Sequence, residues 1–137
     1  MTDRYEGRTI ADGRADGEVL VSTEPISFYG AIDVESGEFI EEGHELEGEN
    51  VAGKVLVFPK GKGSTVGSYV LYGLAKTGTA PAALLTHEAE AIVATGAILG
   101  EIPCMDRIDE AVSTFRTGDT VSVDASAGVI EMLERGD

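Results

Sequence analysis

"KVLVFPKGKGSTVGSYVLYGLAKTG", residues 54–78, decides how the chain folds. Its opening, "KVLVF" (54–58), is a continuous apolar run after Lys54, the pattern of a strand buried on both faces. Its second half, 67–78, places Tyr69, Leu71, Tyr72 and Ala75 at helical spacing, and Gly78 supplies a stop. Between them lies a loop, 59–66, rich in glycine and hydroxyl side chains. A loop that leaves a buried strand and enters a helix gathers backbone N–H groups and the positive helix end at one place.

Three familiar motifs fail on spacing. A Walker loop requires G-x-x-x-x-G-K-[ST], but Lys62 precedes Gly63 and Ser64. A dinucleotide fingerprint requires G-x-G-x-x-G, and the glycines here are Gly61, Gly63 and Gly67. A nucleophile elbow requires G-x-S-x-G, and Ser64 follows Gly63 directly. Two readings remain. Either Ser64 or Ser68 caps the helix, or Ser64 is a hydroxyl presented to a site. A serine accepts a carbon-bound proton only where its alkoxide is stabilised, and Lys62 with the loop amides offers that stabilisation.

Outward from this unit, "GEVLVSTEP" (17–25) reads as a strand that Pro25 stops, and 26–40 as an extended pair about Gly37. Residues 41–53 are polar and glycine-rich, hence a surface loop. "AALLT" (82–86) and "IPCM" (102–105) predict short buried strands. Residues 88–99 predict a helix interrupted near Gly96. Residues 107–115 predict another, with Ile108, Ala111, Val112 and Phe115 on one face. Residues 119–133 predict a hairpin turning at 125–128. This mixture points to an α+β fold with β/β/α layers and a barrel-like sheet. The 137 residues carry no dividing linker and fit one domain spanning 1–137.

Twenty-five acidic against ten basic residues give a formal charge of -15. That surface repels phosphate backbones and anionic lipid, so no nucleic acid and no membrane is expected as a partner. The acidity fits either a high-salt cytoplasm or an ordinary acidic protein. Against it, Lys60 and Lys62 form a local positive island suited to an anionic small molecule. The start of the chain lacks a basic-then-apolar signal, and 91–100 is too short to span a bilayer, so a cytoplasmic location is expected. The single cysteine, Cys104, cannot hold an iron–sulfur cluster alone and reads as a small buried hydrophobe.

The other candidates are read more plainly. His44, in "GHELEG", is a solvated or hydrogen-bonded loop histidine, and His87 is structural; two such distant histidines make no metal site. Glu41, Glu42, Glu45, Glu47 and Glu49 are solvated. Ser27, Phe28 and Tyr29 line a cleft or interface, or pack in the core.

"GRADGEVLVSTEPISFYGAID", "HELEGENVAGKVLVFPKGKGSTVGSYVLYGL", "GTAPAALL" and "TGDTVSV" together resemble the small subunit, or swivel domain, of the aconitase X family. The resemblance runs from about Gly7 to Val129, and the P-x-G-x-G-S loop is its most specific part. It implies a swivelling β/β/α domain and a hydro-lyase. It implies that this chain binds no cofactor itself, with the iron–sulfur cluster in a separate large catalytic subunit. It also implies that Ser64 is the proton acceptor, with Lys62, Gly63 and Thr65 around the substrate. For the free-standing archaeal form, the implied reaction is dehydration of (R)-5-phosphomevalonate to trans-anhydromevalonate 5-phosphate in isoprenoid synthesis. A hydroxyproline-type dehydratase subunit of the same family, and a non-catalytic anion-binding or regulatory module, are the alternatives.

Overall fold

Strand β4, Val55–Phe58, is buried at every residue, and its two faces feed two different cores. Val55 and Val57 join Val19, Leu85, Met105, Val121 and Ile130 in one cluster. Leu56 and Phe58 join Leu20, Leu84, Leu71, Leu74 and Val93 in the other. The period of two along a strand therefore sorts alternate side chains into a sheet–sheet core and a sheet–helix core. The result is the expected β/β/α layering. The computed structural model describes residues 3–62, 66–108 and 110–136.

The described residues form eight strands in the order β1-β8-β7-β3-β4-β5-β6-β2. Strand β3, Arg14–Val21, serves both sheets. Its first half pairs antiparallel with β7 (Thr120–Asp124), and Val19–Val21 pair parallel with β4. Strand β5 (Ala83–Thr86) lies parallel to β4, and β6 (Cys104–Asp106) parallel to β5. The two ends of the order are β1 (Arg4–Glu6), paired with β8 (Val129–Glu134), and β2 (Arg8–Ala11), paired with β6. Only Gly7 separates β1 from β2 along the chain, so the sheet curls until its ends meet. It is barrel-like without being a closed barrel.

Helix α2, Val66–Thr77, and helix α3, Ala91–Gly100, cover the outer face of β4 and β5. The stripe expected for α2 is rotated: Gly67, Ser68, Leu71 and Leu74 are buried, while Tyr69 is 68% exposed. The cause is α3. A Cβ on Gly96 would lie 2.5 Å from Leu71 Cδ1, and one on Gly67 would lie 3.1 Å from Ile92 Cγ2. Two glycines let the helices touch along that line. Gly96 accordingly sits within an unbroken α3, contrary to the expected interruption; close packing outweighs its poor helix propensity of about 1 kcal/mol.

Two further expectations are corrected. The helix predicted over 107–115 shrinks to α4, Ala111–Thr114, because Arg107 and Glu110 both take positive φ. Ile108 and Phe115 are still buried, so the apolar pattern reported burial rather than helix. Residues 26–40 are only partly an extended pair. Ile32 bridges Phe39 across a turn at Gly37, but Phe28–Ala31 (α1) form a short kinked helical turn. No helix among the described residues is long and apolar enough to cross a membrane.

Candidate functional site

Strands β4, β5 and β6 are parallel, so their carboxyl ends open at one edge, where ligands of such sheets commonly sit. The three loops leaving that edge are tied together. The Pro59 carbonyl accepts from Thr86 Oγ1 at 2.9 Å and from the His87 amide at 3.2 Å. The His87 carbonyl accepts from the Arg107 amide at 2.9 Å. Asp106 Oδ2 accepts from the Ala89 amide at 2.8 Å.

Residues 59–62, the first part of the candidate loop, leave this edge along a fixed path. The Ile26 amide donates to the Lys60 carbonyl at 3.1 Å, and the Lys62 amide donates to the Ile26 carbonyl at 2.9 Å. Gly61 is therefore bridged to Ile26 as in a parallel ladder. A Cβ there would lie 2.7 Å from Val93 Cγ2, so the loop runs tightly over the first turn of α3. Lys62 is exposed and lines a shallow depression of about 440 Å³ with Ser27, Tyr29, Gly30 and Glu41. The segment 27–29 thus divides: Phe28 enters the core against Phe58, while Ser27 and Tyr29 face the depression. Gly63, Ser64 and Thr65 lie outside the described residues. Ser68 does not cap α2. It is the third residue of that helix, and its hydroxyl donates to the Ile92 carbonyl at 2.9 Å, joining α2 to α3.

The surface loop 41–53, whose glutamates were expected to be solvated, holds the segment that supports Lys62. Glu45 Oε1 accepts from the Thr23 amide, from Thr23 Oγ1 at 2.8 Å, from the Glu24 amide at 2.9 Å and from Ser22 Oγ at 3.2 Å. Partial burial works against this charge, but the hydrogen bonds led by Thr23 outweigh it and hold the carboxyl below the usual range. Glu45 is thus a clamp on the end of β3. His44 is buried and hydrogen-bonded rather than solvated: Nδ1 accepts from the Leu46 amide at 3.1 Å, and Nε2 lies 3.3 Å from the Pro25 carbonyl. The sequence signal was Leu46, an apolar residue two after His44 in a run of glutamates, which is buried beside it.

His87 Nε2 accepts from the Val112 amide at 3.3 Å, a structural contact as expected. Cys104 is fully buried in the sheet–helix core, and burial pushes its thiol up to about 12, with nearby Asp106 adding to the rise. A cluster ligand must be a thiolate, so Cys104 does not fit one. Among the described residues no group of three or more His, Cys, Asp or Glu could hold a metal ion. Sequence reasoning missed Arg8 and Asp106. Arg8 Nε and Nη2 donate to Asp106 Oδ1 and Oδ2 at 2.8 and 2.7 Å, locking β2 to β6. Burial opposes the Asp106 charge, yet Arg8 and the Ala89 amide hold its carboxyl below the ordinary value.

Comparison with known proteins gives a consistent result. A family model for the aconitase X swivel domain matches residues 4–132. The phosphomevalonate dehydratase small subunit of Methanosarcina mazei is 53% identical over 98% of this chain and 94% of that protein. That of Thermococcus kodakarensis is 51% identical over 98% of this chain and 99% of that protein. A crystal structure of Thermococcus kodakaraensis aconitase X in its holo form superposes with a TM-score of 0.92 at 51% identity, covering 96% of this chain and 99% of that one. The chain belongs to the aconitase X swivel-domain family.

Proposed function

We propose that this chain is the small, swivel-type subunit of a cytoplasmic two-subunit hydro-lyase that dehydrates (R)-5-phosphomevalonate to trans-anhydromevalonate 5-phosphate in archaeal isoprenoid synthesis. The observation that carries the reading is near-full-length similarity, at about half identity, to several proteins named phosphomevalonate dehydratase small subunit. The geometry at the carboxyl edge of β4 supports it. A loop pinned at Gly61 turns outward with Lys62 exposed on a -15 chain.

In this reading Ser64 takes the proton from the carbon next to the one that bears the leaving hydroxyl. The electron pair left behind forms the double bond as the hydroxyl leaves as hydroxide. Hydroxide and the proton taken up by Ser64 together make the water released, which returns Ser64 to its starting state. Lys62 and the amides of Gly63 and Thr65 hold an anionic group of the substrate and lower the cost of charge on Ser64. The iron–sulfur cluster belongs to the large subunit, since Cys104 does not fit one. The large subunit meets the face around Lys62, where Tyr29 lines the same depression and is 62% exposed. An exposed aromatic ring at such a face suits a protein partner.

The test is reconstitution. The chain alone should show no water loss from phosphomevalonate, and the chain with its large subunit should show sustained turnover. Turnover of hydroxyproline instead, or full activity of the large subunit alone, would overturn the proposal.

A further inference from the structure

We propose that His44 is a positioning residue for the 59–62 leg of the candidate loop, acting through the Pro25–Ile26 peptide on the stretch that ends at Lys62. The inference deepens the functional reading above and rests on it for its catalytic consequence.

The His44 side chain is 1% exposed, and its ring centroid lies 4.5 Å from that of Phe39. The Leu46 amide can only donate, so Nδ1, at 3.1 Å, must carry no proton. The proton of the neutral ring is then on Nε2. The Pro25 carbonyl, at 3.3 Å, can only accept. Glu24 Oε2 stands farther off, at 4.0 Å from Nε2. Both partners therefore select one tautomer in one orientation.

The Pro25 carbonyl and the Ile26 N–H are the two ends of a single planar peptide group. One end accepts from His44. The other donates to the Lys60 carbonyl at 3.1 Å. The next peptide turns its carbonyl to the Lys62 amide at 2.9 Å, and the Ile26 side chain between them is fully buried. Rotation of the Pro25–Ile26 plane strains the bonds at both its ends, and hydrogen bonds in series polarise one another. His44 thus stands at one end of a relay of three hydrogen bonds whose other end is the last described residue before Ser64.

Two half-mimics separate this role from a purely structural one. Asparagine places an acceptor where Nδ1 was and cannot reach Pro25. Glutamine places a donor where Nε2 was and leaves the Leu46 amide unmet. In the full chain followed by NMR, His44→Asn should speed exchange of the Ile26 and Lys62 amides about three- to tenfold, the scale of one hydrogen bond, while Leu46 stays protected. His44→Gln should do the reverse. In the complex with the large subunit, His44→Asn should raise KM for phosphomevalonate about threefold or more with a smaller change in kcat, and His44→Gln should stay near wild type. Equal effects of the two variants on both sets of amides, or on KM, would overturn the proposal. Ring-nitrogen shifts of the unmodified protein give a check that needs no variant: a proton on Nε2 supports the relay and one on Nδ1 refutes it. If the wild-type complex fails to turn over phosphomevalonate, the functional reading falls while amide exchange still decides the role of His44.

Discussion

Gly61→Ala should destabilise the chain even though alanine suits the backbone there. Gly61 does not take positive φ, so alanine would by itself gain about 0.4–1 kcal/mol by restricting the unfolded chain. The neighbours reverse that sign. The new Cβ would stand 2.7 Å from Val93 Cγ2 and 2.9 Å from Glu90 Oε1. The first distance is roughly 1 Å short of ordinary carbon contact. Val93 is fully buried and has nowhere to retreat, which puts the overpacking cost at about 1–3 kcal/mol. Glu90 can move, but its carboxylate caps α3 by accepting from the Val93 amide at 3.3 Å, and losing that cap costs about 1 kcal/mol. The net expectation is a loss of about 1–3 kcal/mol, read by denaturant unfolding of the isolated chain. At about 3–5 °C per kcal/mol for a domain of this size, Tm should fall visibly. Val93→Ala removes the clashing methyl, so the double variant should lose less than the two single losses together, by about 1 kcal/mol or more. Strict additivity, or an unchanged Gly61→Ala, would refute the close-approach argument.

Other expectations follow from the same geometry. The Asp106 carboxyl is held below its ordinary value, so it contributes stability above about pH 4, lost as pH falls through its folded pKa. The stability gap between wild type and Arg8→Met should therefore be widest near neutral pH and narrow on acidification; a constant gap from pH 7 to pH 3 would contradict this. Ser68→Ala should cost about 1 kcal/mol through the lost bond to the Ile92 carbonyl and leave turnover intact; a large loss of turnover would move the chemistry to Ser68. Cys104, fully buried with a thiol at about 12, should react with a thiol reagent only as fast as the domain opens; prompt labelling of the native chain would contradict its place in the core.

The parts of the fold legible in the sequence were those with one dominant period. The unbroken run Val55–Phe58 announced a strand buried on both faces, and the run 119–133 announced a hairpin about Ala125–Gly128. Short edge strands were not legible. Strands β1 and β2 are three and four residues long, largely exposed, and held by partners more than ninety residues away. Helix α2 was placed correctly and faced wrongly, because its buried side is set by glycines meeting α3 and not by its largest apolar residues. At the site, local spacing picked out the 59–66 loop and Lys62. It could not show the Ile26–Gly61 bridge, or that His44 and Glu45 grip the segment making it. Those contacts join stretches of chain about twenty to forty residues apart through a few local hydrogen bonds, which leave no periodic trace.

The proton-acceptor role proposed for Ser64 is tested most directly by the turnover of Ser64→Ala in the reconstituted complex, measured beside Ser68→Ala and Lys62→Ala. Loss of the proton acceptor should lower kcat by about a hundredfold or more, with assembly and Tm near wild type. Lys62→Ala should mainly raise KM, and Ser68→Ala should mainly lower Tm. If Ser64→Ala instead keeps its turnover and loses only about 1 kcal/mol of stability, as a missing helix cap would, then Ser64 is no proton acceptor and the catalytic assignment is wrong.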